Sequence, residues 1–333
     1  MTRLLIAGTG LIGHRHMAHI EAHPDLTLAG IIDPDPTRRA HATAPGWADI
    51  DAVDTEAGGL VIATPTETHA PLAIAAMRRG WDVLVEKPLA ETREAAQSII
   101  DTARETGRKV LVGHHRRHHP RVEKLKEVIA SGQLGQPVGA SLMWYMRKPD
   151  DYFDIGWRAG MNGAPVKQNL IHDVDTLCWL FGPVKDVVGL GGNPVRGAAR
   201  TEHGGAVLRF ASGVIVTIAF ADTTPTPWGF EAGTGESPAI PYTAQDSLRI
   251  ACTRGAIEFP SLTTWSGAQS WHDRPEPQVL DVAEGVPLIR QLEHFAEVIA
   301  GRAEPRVSAE DGLRALDVTL RVEDATLPAG VRQ

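Results

Sequence analysis

The sequence predicts an α/β protein: an N-terminal Rossmann dinucleotide-binding domain, then a second domain whose strand-rich pattern suggests an antiparallel sheet. Three observations predict it. Apolar runs of strand length alternate with helix-like segments over the first 115 residues. The first run opens onto Gly8-Thr9-Gly10-Leu11-Ile12-Gly13, and an acid, Asp33, ends the second run. After residue 120 the chain turns strand-rich, broken by Gly, Pro and Ser-Gly turns.

The expected strands of the first domain are "RLLIAG" (3–8), "LTLAGIID" (26–33), "GLVIAT" (59–64), "DVLVEK" (82–87) and "KVLVGHH" (109–115). They are apolar on both faces, as a parallel sheet covered by helices requires. Helices are expected over 11–23, about 36–44, 67–79 and 91–106. Thr66 precedes the third and Gly80 stops it; Gly107 follows the fourth. The second domain should open with a helix at about 120–131, ended by Ser131-Gly132, and the strand "PVGASLMWYM". A polar and aromatic loop over 147–167 and a helix over 168–181 follow. The runs "VVGLGG", "GAVLRFA", "GVIVTIAF", "SLRIAC", "GAIEFP" and "QVLDV" then suggest an antiparallel sheet. Residues 222–243 are too long for a hairpin turn and read either as a functional or mobile loop or as a surface excursion. Helices at about 286–300, stopped by Gly301, and about 308–325 close the chain. The expected division is 1–119 and 120–333, with the last helix free to pack back on the first domain.

A chain of 333 residues suits two domains, and 43% hydrophobic with 22% charged residues is ordinary for a soluble protein. The net charge of −8 argues against nucleic acid or an anionic membrane as partner. Two cysteines form no disulfide framework and no metal-ligand spacing, so no metal and a reducing cytoplasm are expected. Neither a secretory signal nor a membrane-spanning run is expected.

The glycine motif has a mechanical reading. Gly8 makes the tight turn, Gly10 lets backbone approach a pyrophosphate, and Gly13 lets helix and strand pack closely. Leu11 and Ile12 open the helix whose N-terminus faces the phosphates, and Asp33 accepts from ribose hydroxyls. A glycine-rich turn without a ligand is the alternative. The carboxylate repels a 2′-phosphate and so favours NAD; Arg38 either leaves NADP possible or belongs to a solvated helix face. In "VEKPLAETREA" (85–95), Glu86 and Lys87 sit at the carboxyl end of the fourth strand, where open α/β sheets bind ligands. A lysine there suits proton transfer or oxyanion stabilisation; a surface ion pair before a turn proline is the other reading.

Taken together, GxGxxG, "ATPTETHAPLA" (63–73), "EKP" and "NLIHDVD" (169–175) resemble the Gfo/Idh/MocA oxidoreductases, which include glucose–fructose oxidoreductase and inositol dehydrogenase. The resemblance spans essentially the whole chain. It implies an N-terminal Rossmann domain followed by a C-terminal α/β domain with a large, open, mainly antiparallel sheet, which in the family commonly forms the face of dimers or tetramers. It implies that Lys87 contacts substrate hydroxyls, that the peptide before Pro88 is often cis, and that His172 exchanges the proton. Thr64, Pro65, Thr66, His69 and Glu86 would lie with Lys87 on the cofactor side. Gln168 departs from the family, because inositol-dehydrogenase-like members carry an aspartate there, one turn before the histidine. An amide takes no proton, so Asp175, on the same helical face, is the candidate substitute. Leu170, Val174, Leu177 and Phe181 make an apolar stripe, with Gln168, His172 and Asp175 on a polar one. A solvated surface helix shows the same pattern.

Arg117 and His118, in "GHHRRHHP" (113–120), are candidate substrate contacts; a solvated basic turn is the alternative. Tyr152 and Arg158, in "WYMRKPDDYFDIGWRAG" (144–160), are further candidates, with interface packing as the alternative. The expected function is NAD-dependent interconversion of a secondary alcohol and a ketone on a sugar, cyclitol or related polyol. Arg116, Arg117, Arg147, Lys148, Arg158 and Lys167 keep open a hydroxy-acid substrate, such as a sugar acid or a carboxylated cyclic diol. A non-catalytic NAD-binding sensor is the alternative of another class.

Overall fold

A computed structural model describes residues 1–40, 43–160, 163–197 and 200–328, with the Trp157 side chain left aside. Parts of the expected helix at 36–44, of the loop at 147–167 and of the last residues of the second domain lie outside the described residues. The chain forms two compact units. The first takes Met1–His119 with Gly285–Leu316; the second takes Pro120–Glu284 with the chain from Asp317 onward.

The first unit contains β1 (Thr2–Ala7), α1 (Leu11–Ala22), β2 (Leu26–Ile32), α2 (Pro36–Ala40), β3 (Gly46–Trp47), β4 (Gly59–Ile62), α3 (His69–Arg78), β5 (Asp82–Val85), α4 (Arg93–Thr106) and β6 (Val110–Val112). Its strands form one parallel sheet in the order β3-β2-β1-β4-β5-β6. Strands β1, β4 and β5 bury Leu4, Leu5, Ile6, Leu60, Val61, Ile62, Val83, Leu84 and Val85 completely, as a doubly covered sheet demands. Chain order reverses between β1 and β4, and such switch points are where α/β sheets open a ligand crevice. Strand β3 is absent from the sequence reading because two residues carry no periodicity. Packing decides it: the Trp47 ring covers Gly30, where a β-carbon would come within 2.2 Å. Helix α4 follows its sequence signals, with Thr92 Oγ1 accepting from the Ala95 amide and Gly107 closing the end at φ 68°.

The second unit contains α5 (Pro120–Ser131), β7 (Pro137–Tyr145), α6 (Gly156–Ala159), α7 (Ile171–Phe181), β8 (Val184–Gly192), β9 (His203–Phe210), β10 (Ile215–Ala221), α8 (Phe230–Thr234), β11 (Leu248–Cys252), β12 (Gly255–Phe259), β13 (Thr263–Ser266) and β14 (Glu276–Val279). The eight strands run β14-β13-β12-β11-β7-β10-β9-β8. Only β7 and β10 pair in parallel, so the sheet is mixed but mostly antiparallel. Its buried face carries Trp144, Phe220 and Ile250, packed with Val122, Leu125, Leu177 and Phe181 from α5 and α7.

Two details around the histidine-bearing helix differ from the sequence reading. The stretch 147–167 holds a 3-10 turn at Asp150–Asp154 and the short helix α6. The helix expected from 168 starts with a π-turn, Val166–Leu170, and becomes α-helical at Ile171. One wide turn is invisible to an apolar period near 3.6 residues. Of the two readings of that helix's polar stripe, the solvated surface is excluded, since His172, Asp173, Asp175 and Thr176 are all buried.

Helices α9 (Pro287–Ile299) and α10 (Ala309–Thr326) end the fold. Helix α9 packs in the first unit because Gly58 and Gly59 make room. Any β-carbon at Gly59 would stand 2.8 Å from Phe295 and Ile299.

Candidate active site

The glycine loop is fixed by close approaches. Gly8 has φ 86°, a conformation that disfavours side chains, and a β-carbon there would lie 2.7 Å from the Ala63 carbonyl oxygen. At Gly13 a β-carbon would fall 2.0 Å from the Gly8 oxygen, so only glycine lets α1 pack on the turn. At Gly10 nothing lies within 4 Å, so the outer face of the loop is open. Beside it Leu11 is exposed and Ile12 half-buried, and helix geometry leaves their amides without intrahelical acceptors.

Asp33 is buried behind this loop. Its Oδ2 accepts from the Thr9 amide at 2.9 Å and the Thr9 hydroxyl at 2.7 Å, and its Oδ1 accepts from the Asp35 amide at 3.0 Å. Burial pulls the carboxyl upward, but these hydrogen bonds and the Arg38 charge more than reverse it, so it lies below the ordinary carboxylate range. A carboxylate has about four acceptor positions. Three are used, leaving room on Oδ1 for a hydroxyl donor. Arg38 is 53% exposed, with its Nη1 3.7 Å from Asp33 Oδ2. The open glycine face, the free amides and a partly satisfied carboxylate fit a dinucleotide.

The loops after β4 and β5 are tied together. The His69 ring is buried between the Thr64 and Pro88 carbonyl oxygens, each 2.9 Å from a ring nitrogen. Burial is the largest effect on His69 and holds its pKa below 6.5. Thr64 also accepts from the Thr68 hydroxyl at 2.7 Å; Pro65 is exposed and Thr66 half-buried. The Lys87–Pro88 peptide is cis. Glu86 is buried, and its Oε1 meets His16 Nε2 at 2.8 Å while its Oε2 accepts from the Lys87 amide at 3.3 Å. Burial pulls Glu86 upward, yet the His16 hydrogen bond and nearby positive charge bring it to about 2. Glu86 and His16 thus tie β5 to α1, beneath a half-buried Lys87.

In the second unit, Gln168 sits half-buried in the π-turn, His172 on the first turn of α7, and Asp175 one turn on, fully buried. The Thr176 hydroxyl donates to the His172 carbonyl at 3.0 Å. Asn169, in the π-turn, donates to Glu231 of α8 at 3.4 Å, and Glu231 accepts from the Trp144 indole at 3.0 Å. The 222–243 stretch therefore supplies a buried acid beside the histidine-bearing segment.

Tyr152 and Arg158 meet. The Arg158 guanidinium lies 4.3 Å from the Tyr152 ring centre and donates to its carbonyl at 3.4 Å. Burial pushes the Tyr152 phenol up. Arg117 and His118 are buried in the first unit, not on a solvated turn. Arg117 pairs with Asp311 at 3.0 Å, and the His118 ring stands 5.2 Å from His294. These contacts give both residues structural work in holding α9 and the start of α10. Burial, then the charges of Arg306 and His294, hold His118 well below 6.5.

His16 escaped the sequence reading, although a signal exists. It occupies the buried stripe Gly13, His16, Met17, Ile20 of α1, where a polar side chain demands a partner. Its partner, Glu86, lies seventy residues on and no spacing announces it.

Comparison with known proteins agrees with this architecture. The family described as "Oxidoreductase family, NAD-binding Rossmann fold" matches residues 2–114, and the "GFO/IDH/MocA C-terminal domain" matches residues 122–258. The 1,5-anhydro-D-fructose reductase of Ensifer adhaerens is 30% identical over 288 residues, covering 84% of this chain and 78% of its own. Inositol 2-dehydrogenase 4 of Saccharopolyspora erythraea is 29% identical over 65% of each chain, so the match spans just under two thirds of that relative's length. Among solved structures, a putative NADPH-dependent oxidoreductase from Desulfitobacterium hafniense superposes with a TM-score of 0.83 at 20% identity, over 98% of this chain and 95% of the other. At that identity the likeness is one of fold.

Proposed function

Because this chain belongs to the GFO/IDH/MocA oxidoreductases, a family with an NAD-binding Rossmann fold, we propose that it interconverts a secondary alcohol and a ketone on a sugar, cyclitol or related polyol. The observation that carries the proposal is the first-unit cradle: an open Gly10 face beside Asp33, and at the carboxyl end of β5 the backbone of Lys87 bonded to Glu86, which His16 holds in turn. The names of the relatives, an inositol dehydrogenase and an anhydrofructose reductase, support the substrate class.

NAD, when bound, supplies the acceptor for a hydride from the carbinol carbon. Gly8, Gly10 and Gly13, with the amides of Leu11 and Ile12, hold its phosphates, and Asp33 takes a ribose hydroxyl. Thr64, Pro65, Thr66 and His69 line the same side. His172 takes the hydroxyl proton on an imidazole nitrogen and returns it in the reverse direction. Lys87 stabilises the alkoxide oxygen by charge. Gln168 and Asp175 orient the substrate or the imidazole, and Tyr152 with Arg158 contact the substrate.

Self-association through the second sheet belongs to the same proposal. On β8, Gly189 and Gly191 face the end of α10, while Val188 and Leu190 point outward, 66% and 79% exposed. Val207 and Ile215 extend this apolar strip across β9 and β10.

The test is a panel of polyols, sugars and hydroxy acids assayed for NADH formation, repeated with Lys87→Ala and His172→Ala. Each substitution should lower turnover at least about 100-fold, the lower end for an acid–base group. Near-normal turnover in either variant removes that residue from the mechanism. Ligand binding without turnover across the panel would replace the enzyme with an NAD-binding sensor.

A further inference from the structure

A second cavity, of about 450 Å³, opens in the second unit. Arg147, Asp150, Phe153, Ala159, Val195 and Arg196 line it, with Arg200 as inner wall. That volume falls in the range of small-ligand sites.

Strand pairing builds the cavity. Because β7 and β10 run in parallel, they end side by side, and the chain just past them stays paired: Lys148 donates to the Asp222 carbonyl at 3.0 Å, and Arg147 bridges to Thr223. The connection from β8 to β9 brings in Arg196 and Arg200. Asp222 is fully buried, and its two oxygens divide between them: Oδ1 accepts from Arg196 at 3.0 Å and Oδ2 from Arg200 at 2.8 Å. Arg196 also donates to the Lys148 carbonyl at 2.8 Å. The Phe153 ring lies between both guanidiniums, 4.7 Å from Arg196 and 4.5 Å from Arg200. These contacts lock long side chains that would otherwise be mobile.

Three of the lining residues are arginines and one, the largely exposed Asp150, is an acid. A single buried carboxylate, Asp222, serves two guanidiniums. Glu202 is buried nearby, but its oxygens accept from the Val195 and Arg196 amides. Arg200 is 1% exposed, and its Nε and Nη2 have no hydrogen-bond partner among the described residues. Leaving charged donors buried and unsatisfied is costly, and those two N–H groups form the edge of the guanidinium that holds an oxyanion through two parallel bonds.

We infer that this arginine-lined cavity binds the oxyanion, carboxylate or phosphate, of a small polar ligand. Arg147 is the most accessible cation of the lining, Arg196 is 15% exposed, and buried Arg200 adds charge from within. The inference rests on the second unit alone and goes beyond the dehydrogenase reading.

The experiment is isothermal titration of the full chain without NAD, using three ligands on one scaffold: D-glucose, D-gluconate and D-glucose 6-phosphate. At least one anionic ligand should bind at least tenfold more tightly than glucose, and its affinity should fall with added salt. Gluconate alone identifies a carboxylate site and glucose 6-phosphate alone a phosphate site. Arg196→Gln and Arg147→Gln should each weaken the anion by about 10- to 100-fold, as expected for losing a charge-assisted hydrogen bond. Among the described residues the Arg147 side chain bonds only the exposed Asp150 carboxylate and the Thr223 carbonyl, so its variant keeps the melting temperature and the test survives if Arg196→Gln misfolds. Equal binding of all three ligands, no binding of either anion, or unchanged affinity in Arg147→Gln overturns the inference. Because no turnover is measured, this outcome is independent of that of the substrate panel.

Discussion

Asp33 shows how much one side chain can carry. It braces the glycine loop through Thr9, braces its own turn through Asp35, and keeps one acceptor for a ligand. Arg38 stands close enough to feel its charge but remains half in solvent. Replacing Asp33 with serine removes the carboxylate that repels a 2′-phosphate and releases Arg38 to meet one. The ratio of kcat/KM for NADP to that for NAD should therefore rise at least tenfold, about 1.4 kcal/mol. An unchanged ratio would show that cofactor choice lies elsewhere. The role of Asp33 is legible in the sequence because a local motif sets its distance from the glycines. Arg117 and His118 show the opposite case. Their residue types suggest ligand contacts, and only the tertiary structure reveals Asp311 and His294 beside them.

At the scale of elements, the Glu86–His16 pair joins the end of β5 to α1. Neither residue reaches solvent appreciably. Removing the imidazole leaves the buried Glu86 carboxylate without its hydrogen-bond partner. His16→Ala should cost about 3–5 kcal/mol in urea denaturation. Adding Glu86→Gln to it should recover part of that loss. A cost below about 1 kcal/mol would mean that water replaces the imidazole. Helix α7 carries the related lesson that its polar residues are as buried as its apolar ones. A sequence pattern separates two helix faces but does not say what covers either. The π-turn before it and the two-residue β3 were illegible for a similar reason, since both are shorter than one period of any pattern.

For the whole molecule, protonation should set the acid limit of stability. Burial holds His69, His118 and His294 below their ordinary 6.5. The unfolded chain therefore binds more protons than the folded one as pH falls through 6.5, so folding weakens with acidification. Asp33 and Glu86 act in the same direction lower down, their stabilisation being present above the ordinary carboxylate value and lost as pH falls toward the folded one, about 2 for Glu86. Asp82 and Glu323, raised by burial, act oppositely. The melting temperature should drop between about pH 7.5 and about pH 5.5, where the histidines dominate, and His118→Gln should flatten that slope. A melting temperature that holds or rises over this interval contradicts the assignment.

The sequence by itself determined the parallel character of the first sheet, the glycine loop with its acid, the strand-rich character of the second half and the resemblance to one oxidoreductase family. These rest on periodicity and on motifs whose parts lie within a few dozen residues, so local physics specifies them. Only the tertiary structure decided that α9 returns to Gly58 and Gly59, that Glu86 rests on His16, and that Arg147, Arg196 and Arg200 line one cavity, with buried Asp222 holding the last two. These depend on which distant segments meet, and a buried charge finds its partner by packing, at separations no sequence spacing records.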